Sequence, residues 1–145
     1  MILPQFYTDD IIKRAILEDI NYVDVASDYL ISEEQRDEAY FVSKADGVLC
    51  GIDVAMRVFE LLDDSFTAKV YMHDGDKVKK GDLIAEFSGK TTLLLKGERT
   101  ALNLLQHMSG IATATAKAVK LCEGTKASIA DTRKTLPSLR ALQKY

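Results

Sequence analysis

The sequence predicts an α/β protein in two parts, on three observations. Between residues 68 and 95, short apolar runs alternate with Gly-containing turns, the pattern of a small twisted sheet or sandwich. From residue 97 to 123, the apolar positions Leu102, Leu105, Ala112, Ala116 and Val119 recur at helical steps of three, four or seven. Beyond them, a strand-like run, a charged loop and a second helical stretch follow the rhythm of a parallel α/β fold. Residues before 97 read as one small domain and those after it as the opening of a second.

Taken in order, residues 8–20 read as a helix capped by Thr8, with Asp9 and Asp10 in its first turn and Ile11, Ile12, Ala15, Ile16 and Ile20 on its apolar face. Residues 18–28 read as an acidic loop, solvated or holding a cation. Residues 39–45 read as a strand turned by Asp46-Gly47, and residues 48–62 as a helix or strand–helix unit with Val54, Val58, Leu61 and Leu62 inward. Strands are expected at 68–72, 83–87 and 91–95, separated by turns at Asp74-Gly75, Lys80-Gly81-Asp82 and Ser88-Gly89-Lys90. Ser88-Gly89-Lys90-Thr91 looks like the end of a phosphate-binding loop. That motif needs a glycine where this chain has Ile84, and a helix after the lysine where a strand is expected. The run from Asp74 to Asp82 resembles the strand–turn pattern of lipoyl and biotinyl carrier domains, but no lysine stands in their modification pattern, so a similar sheet shape is implied and carrier function is not.

The long helix is expected over 97–123, with Glu98 in its first turn, Arg99 beside its start and Gly124 past its end. A glycine within a helix costs about 1 kcal/mol against alanine, so Gly110 suggests a close neighbour. Residues 126–131 read as a buried strand, and Pro137 opens a last helix over 138–145. One parallel strand has no partner, and parallel sheets are covered on both faces; the sequence therefore reads as the first part of a longer protein.

Composition sets outer limits. The 145 residues are 47% hydrophobic and 28% charged, ordinary for a globular chain. No apolar run approaches the length of a membrane span, and Met1-Ile2-Leu3-Pro4 is no signal peptide. Cys50 and Cys122 fit no metal spacing and read as buried thiols, with the cytoplasm as the default compartment. The net charge of −3 argues against nucleic-acid binding, yet residues 126–145 carry five basic groups and one acid. A cationic end on an acidic chain suits a small anionic ligand.

The chemistry concentrates after the strand expected at 126–131. Thr132, Arg133 and Lys134 stand where parallel α/β barrels carry their reactive loops. Arg133 offers a planar fork for a carboxylate or phosphate, Lys134 a compact charge, and Thr132 a hydroxyl. The bland reading is a salt-bridged rim with Asp131 as partner. Arg99 alone equally fits a surface ion pair with Glu98 or another acid, and His107 a packed mid-helix residue. Residue chemistry stops at an α/β protein that binds a small polyanion.

At Glu98-Arg99-Thr100-Ala101-Leu102-Asn103, Ser109-Gly110-Ile111-Ala112-Thr113 and Asp131-Thr132-Arg133-Lys134-Thr135, the chain closely resembles quinolinate phosphoribosyltransferase, the carboxylating-type nicotinate-nucleotide pyrophosphorylase of NAD biosynthesis. Leu17-Glu18-Asp19-Ile20, Lys44-Ala45-Asp46-Gly47-Val48-Leu49-Cys50-Gly51, Asp74-Gly75-Asp76 and Gly81-Asp82 fit that family's first domain. The resemblance implies an N-terminal α/β sandwich domain over 1–97, then over 98–145 a linker helix and the first βα part of an open α/β barrel, truncated here. It implies transfer of phosphoribose from phosphoribosyl pyrophosphate to quinolinate with decarboxylation, giving nicotinate mononucleotide, pyrophosphate and CO2. Arg99, Thr132, Arg133 and Lys134 would bind substrate, with Lys134 also catalytic near the reacting centre. Mg²⁺ would assist, its ligands lying beyond Tyr145. A homo-oligomer, dimer or higher, is implied, with Arg99 completing a neighbouring subunit's site.

The chain departs from the family pattern at Tyr22-Val23-Asp24-Val25-Ala26-Ser27, where Gly-Asp-Leu-Thr is usual, and at Pro137-Ser138, where Pro-Gly is common. The family's later site residues would fall past Tyr145, so the 145-residue chain alone is expected to be inactive. The competing readings are a molybdenum-transport-associated paralogue with another substrate, and a non-catalytic interaction or carrier-like module built on residues 74–95.

Overall fold

The computed structural model describes residues 3–20 and 24–145. Its elements, in chain order, are α1 (Gln5–Asp19), α2 (Val25–Leu30), β1 (Arg36–Val42), β2 (Gly47–Val48), α3 (Ile52–Leu62), β3 (Thr67–Val70), β4 (Lys77–Val78), β5 (Leu83–Lys90), α4 (Thr91–Cys122) and α5 (Arg140–Lys144). Strand β5 lies central in an antiparallel sheet of order β1-β5-β3, and β2 pairs with β4 in a second small sheet. The register sets Ala39 and Ala68 opposite Phe87, and Phe41 and Val70 opposite Ala85. Period-two alternation puts these residues on one face, where Phe41 and Phe87 are buried.

Helices α3 and α4 cover that face, and α1 packs on both. Phe59 of α3 stacks on Phe87 at 4.9 Å between ring centroids, while Phe41 meets Phe87 edge-on, also at 4.9 Å. Helix α4 passes close enough that a Cβ on its Gly97 would lie 2.8 and 2.9 Å from two carbons of the Phe59 ring. No methyl group fits there, which is why the chain carries glycine despite its helical cost. The 32 residues of α4 span about 48 Å.

The structure corrects several sequence expectations. The first helix starts at Gln5 with Pro4 as its N-cap; Thr8 is buried inside it and donates to the Pro4 carbonyl at 3.3 Å. Asp9 meets the Arg57 guanidinium through two 2.9 Å bonds. The acids expected in a solvated or cation-binding loop tie down helices. Asp24 caps α2 through the Ser27 N–H, Asp28 pairs with Lys96 of α4, and Asp19 pairs with Arg99. Residues 21–23, part of that loop and of the departure from the family pattern, lie outside the described residues.

Ser88-Gly89-Lys90 is extended strand, not a turn, pairing with Glu38, Asp37 and Arg36. Residues 91–95 are helix, not strand. Thr91, Leu94 and Gly97 begin a buried row that continues through Ala101, Leu105 and Met108, a helical period that outweighs the strand look of a Thr-Thr-Leu-Leu-Leu run. Glu98 therefore sits two turns inside α4, and a helix does follow Lys90. The phosphate-loop reading fails on the missing glycine and on the extended backbone. Gly110 is exposed, with nothing within 4 Å of an added Cβ. Residues 126–131 form no strand and are exposed, for among the described residues no parallel strand lies beside them. The last helix starts at Arg140, after Ser138 turns the chain with φ 66°.

The block at 109–113 has a structural task that its sequence did not disclose. Thr113 Oγ1 accepts from the Val48 N–H at 2.9 Å and faces the Val48 carbonyl at 3.4 Å. One helical turn earlier, Ser109 Oγ accepts from the Cys50 N–H at 3.0 Å and donates to the Cys50 carbonyl at 3.1 Å. Between them, the Leu49 N–H bonds to the Asp76 carbonyl at 2.9 Å. From β2 through the two residues that follow it, Val48 and Cys50 thus turn to α4 while Leu49 turns to Asp76, just before β4.

Gly97→Ala is expected to destabilise the chain by about 1–3 kcal/mol through overpacking on Phe59, read as a lowered urea midpoint; an unchanged midpoint would show that the ring gives way freely. A second expectation concerns acid. Burial pushes the Asp63 carboxyl up, but bonds from the Lys90 N–H, the Ser65 hydroxyl and the Ser65 N–H, with Arg36 nearby, hold it below its ordinary value. The Arg57 guanidinium holds Asp9 down against burial. A carboxyl depressed by folding stabilises the fold above its unfolded value, near pH 4, and loses that contribution as pH falls through its folded value. Urea stability should hold from neutral pH to about pH 5 and decline below about pH 4, with Asp63→Asn less stable at neutral pH and shallower in its decline.

Candidate functional site

The candidate residues fall into two groups that the structure does not bring together. Thr132, Arg133 and Lys134 lie in an exposed strap between α4 and α5. The Thr132 hydroxyl accepts from the Lys134 N–H at 3.2 Å, and the Thr135 N–H bonds to the Arg133 carbonyl at 3.0 Å. These two short-range bonds turn the strap so that neighbouring residues stay close together.

Helix α5 accounts for most of the remaining cations and polar groups of this segment. Lys144 pairs with Asp131 at 2.7 Å. The Arg140 Nε–H donates to Thr135 Oγ1 at 3.2 Å. Asp131 is thus neutralised from α5, contrary to the expectation of a rim pair with its neighbours Arg133 or Lys134. Among the described residues no ion pair engages Arg133 or Lys134, so both charges face solvent and remain available to an anion.

Arg99 stands elsewhere. Its side chain is 73% exposed and pairs with Asp19 at 3.2 Å, the nearby-acid alternative rather than Glu98. It lines a shallow groove on α4 with Leu95, Glu98, Leu102, Asn103 and Gln106. An adjoining cavity of about 900 Å³, which shares Leu95, Glu98, Leu102 and Gln106 with that groove, opens between β1 and the side of α4 that also bears Gly110 and Ala114. Neither it nor the Arg99 groove includes the strap.

Other chemistry-bearing groups have structural tasks. Asp74 accepts from the Gly51 and Ile52 N–H groups at 2.8 and 3.0 Å, closing the start of α3 with an anion where the helix dipole favours one. Both cysteines are free, and burial pushes the Cys50 thiol up to about 11, which makes it a poor nucleophile at neutral pH. Among the described residues no group of three or more His, Cys, Asp or Glu side chains is placed to hold a metal ion, and no helix is long and apolar enough to cross a membrane. His107, read from the sequence as a packed mid-helix residue, is half-buried, and its Nε2 lies 2.8 Å from the Gln143 amide nitrogen of α5, a partner that no sequence signal announced.

Known proteins with the same pattern supply the frame for these two groups. Residues 24–109 match the family described as quinolinate phosphoribosyl transferase, N-terminal domain, and residues 111–145 match its C-terminal domain. A probable nicotinate-nucleotide pyrophosphorylase (carboxylating) of Bacillus subtilis is 42% identical over 135 residues, covering 93% of this chain and 46% of the relative. The corresponding protein of Mycobacterium leprae is 42% identical over 142 residues, covering 94% of this chain and 49% of its own length. NadC from Streptococcus pyogenes superposes with a TM-score of 0.95 at 38% identity, over 100% of this chain, the exposed strap included, and 52% of that chain. The chain spans about half the length of the curated relatives it matches. With both family descriptions meeting inside α4 and the whole chain following the NadC backbone, the chain belongs to the quinolinate phosphoribosyl transferase family.

Proposed function

We propose that this chain supplies the quinolinate-binding part of a phosphoribosyltransferase that joins quinolinate to phosphoribosyl pyrophosphate in NAD biosynthesis. The observation that carries this reading is the division of charge in the last twenty residues. Lys144 and Arg140 are engaged within the fold, while Arg133 and Lys134 are presented side by side without an ion pair. Quinolinate carries two carboxylates on a planar ring, and the guanidinium of Arg133 matches one with two parallel hydrogen bonds. Thr132 adds a hydroxyl beside it. Lys134 takes the catalytic place, as a cation that offsets negative charge on the departing pyrophosphate. In the reaction the ring nitrogen bonds to the ribosyl carbon as pyrophosphate leaves. The positive ring then accepts the electron pair left by departing CO2, and that carbon takes a proton.

Arg99 belongs, on this reading, to a neighbouring subunit's site in a homo-oligomer. Its position in a groove apart from the strap supports that placing. The division of the chain into a sandwich domain over 1–97 and a linker helix with the barrel's opening over 98–145 is part of the same proposal. So is a cytoplasmic setting. Mg²⁺ belongs to the proposed reaction through the family, but the described residues form no cluster that fits it, and no step here runs through a metal.

The test is a quinolinate titration of the 145-residue polypeptide followed by NMR, together with a search for product. Quinolinate should shift the Arg133 and Lys134 signals, and Arg133→Ala should weaken the response about 10- to 100-fold, as expected for a lost charge-assisted bidentate bond. The polypeptide alone should form no nicotinate mononucleotide. A response that survives Arg133→Ala undiminished, or turnover by the polypeptide alone, would refute the respective part of the proposal.

A further inference from the structure

The strap that carries Thr132, Arg133 and Lys134 is anchored on both flanks by one short helix. Lys144 holds Asp131 on the near side. On the far side, Arg140 holds Thr135 and Gln143 holds Leu136, whose N–H donates to Gln143 Oε1 at 2.9 Å. Leu142, 3% exposed, seats α5 on the core.

Gln143 alone among these residues reaches in both directions. Its Oε1 takes the Leu136 amide, and its Nε2 lies 2.8 Å from Nε2 of His107 in α4. The chemistry of the three groups fixes their roles. A backbone N–H only donates, so the carboxamide oxygen must face Leu136 and its NH2 must face His107. The ring nitrogen it meets must then accept, which places the imidazole proton on Nδ1. The amide is thereby a bridge of fixed sense between the long helix and the strap, with one donor and one acceptor on each side.

We propose that Gln143, anchored by His107, is a positioning residue for the anionic ligand of Thr132, Arg133 and Lys134, an inference that rests on the reading of those residues given under Proposed function. Gln143 touches no ligand. It restrains the strap before the ligand arrives, so that binding does not have to order the backbone between Asp131 and Leu136.

The experiment measures two quantities on the 145-residue chain: hydrogen exchange of the Leu136 amide, and the quinolinate-dependent shifts of Arg133 and Lys134. Gln143→Leu removes both bonds. It should raise exchange at Leu136 about tenfold, the worth of a typical hydrogen bond, and weaken the quinolinate response several-fold while exchange in the core of α4 stays unchanged. Gln143→Glu keeps an acceptor for Leu136 but offers no donor to the accepting nitrogen of His107, so it should restore protection at Leu136 only in part; full restoration would show that His107 is no anchor. Unchanged exchange at Leu136 in Gln143→Leu would overturn the proposal, as would faster exchange with an undiminished quinolinate response. If the unmutated chain shows no quinolinate response, the ligand reading of the strap falls and takes the positioning role with it; a response in the unmutated chain that Gln143→Leu leaves intact removes the positioning role alone.

Discussion

Phe59 against Gly97 is the contact on which the architecture turns. The ring stacks on Phe87 of the central strand, and α4 is drawn down over it to the distance a bare Cα allows. Thr100, Ala101, Leu105 and Met108 follow as the next buried residues along the same helix. Once the first turns of α4 are seated, the direction of its remaining length is set, and with it the place of everything that hangs on the far end. Interiors packed at crystal-like density transmit such constraints because side chains have little room to absorb them. The strap, attached through Gln143 to His107 of α4, inherits a geometry fixed at that ring.

Much of this was legible in the residues, and the failures have identifiable causes. The inward set of α3, Val54 and Val58 with Leu61 and Leu62 behind them, follows from helical spacing alone. Strand β5 was found but ended too early, because Ser88-Gly89-Lys90 has turn composition while its backbone is paired along β1. Residues 91–95 were misread for the opposite reason. A local apolar run resembles a strand, and only the longer row to Met108 shows a helix. The acidic stretch around residues 18–28 was read as a loop, solvated or holding a cation, because charge pattern does not reveal partners distant in sequence, such as Lys96 for Asp28 or Arg99 for Asp19. The strand expected at 126–131 failed on a physical requirement rather than a local one: a parallel strand exists only beside its neighbours.

For the candidate site, residue types located the cations, but only coordinates sorted them. Five basic side chains in the last twenty residues look equivalent in sequence. In the fold, two serve the bracket on α5; of the three exposed others, Lys126 stands apart in sequence and Arg133 and Lys134 form the adjacent pair. The block at 109–113 shows the converse. A motif distinctive enough to carry a family resemblance turned out to hold a loop to a helix through two hydroxyls, and Gly110 within it faces open space.

That hydroxyl clamp has a consequence for how the protein keeps to itself. A two-stranded sheet has exposed edges, and an edge with free N–H and C=O groups invites strands from other molecules. Here the outward-turned backbone groups of Val48 and Cys50 are met by Thr113 and Ser109, spaced along α4 as a neighbouring strand would space its own groups. The helix stands in for the missing strand and closes that edge to pairing. The closure of that edge rests on two small polar residues on a helix face, where no pattern of strand-forming residues would announce it.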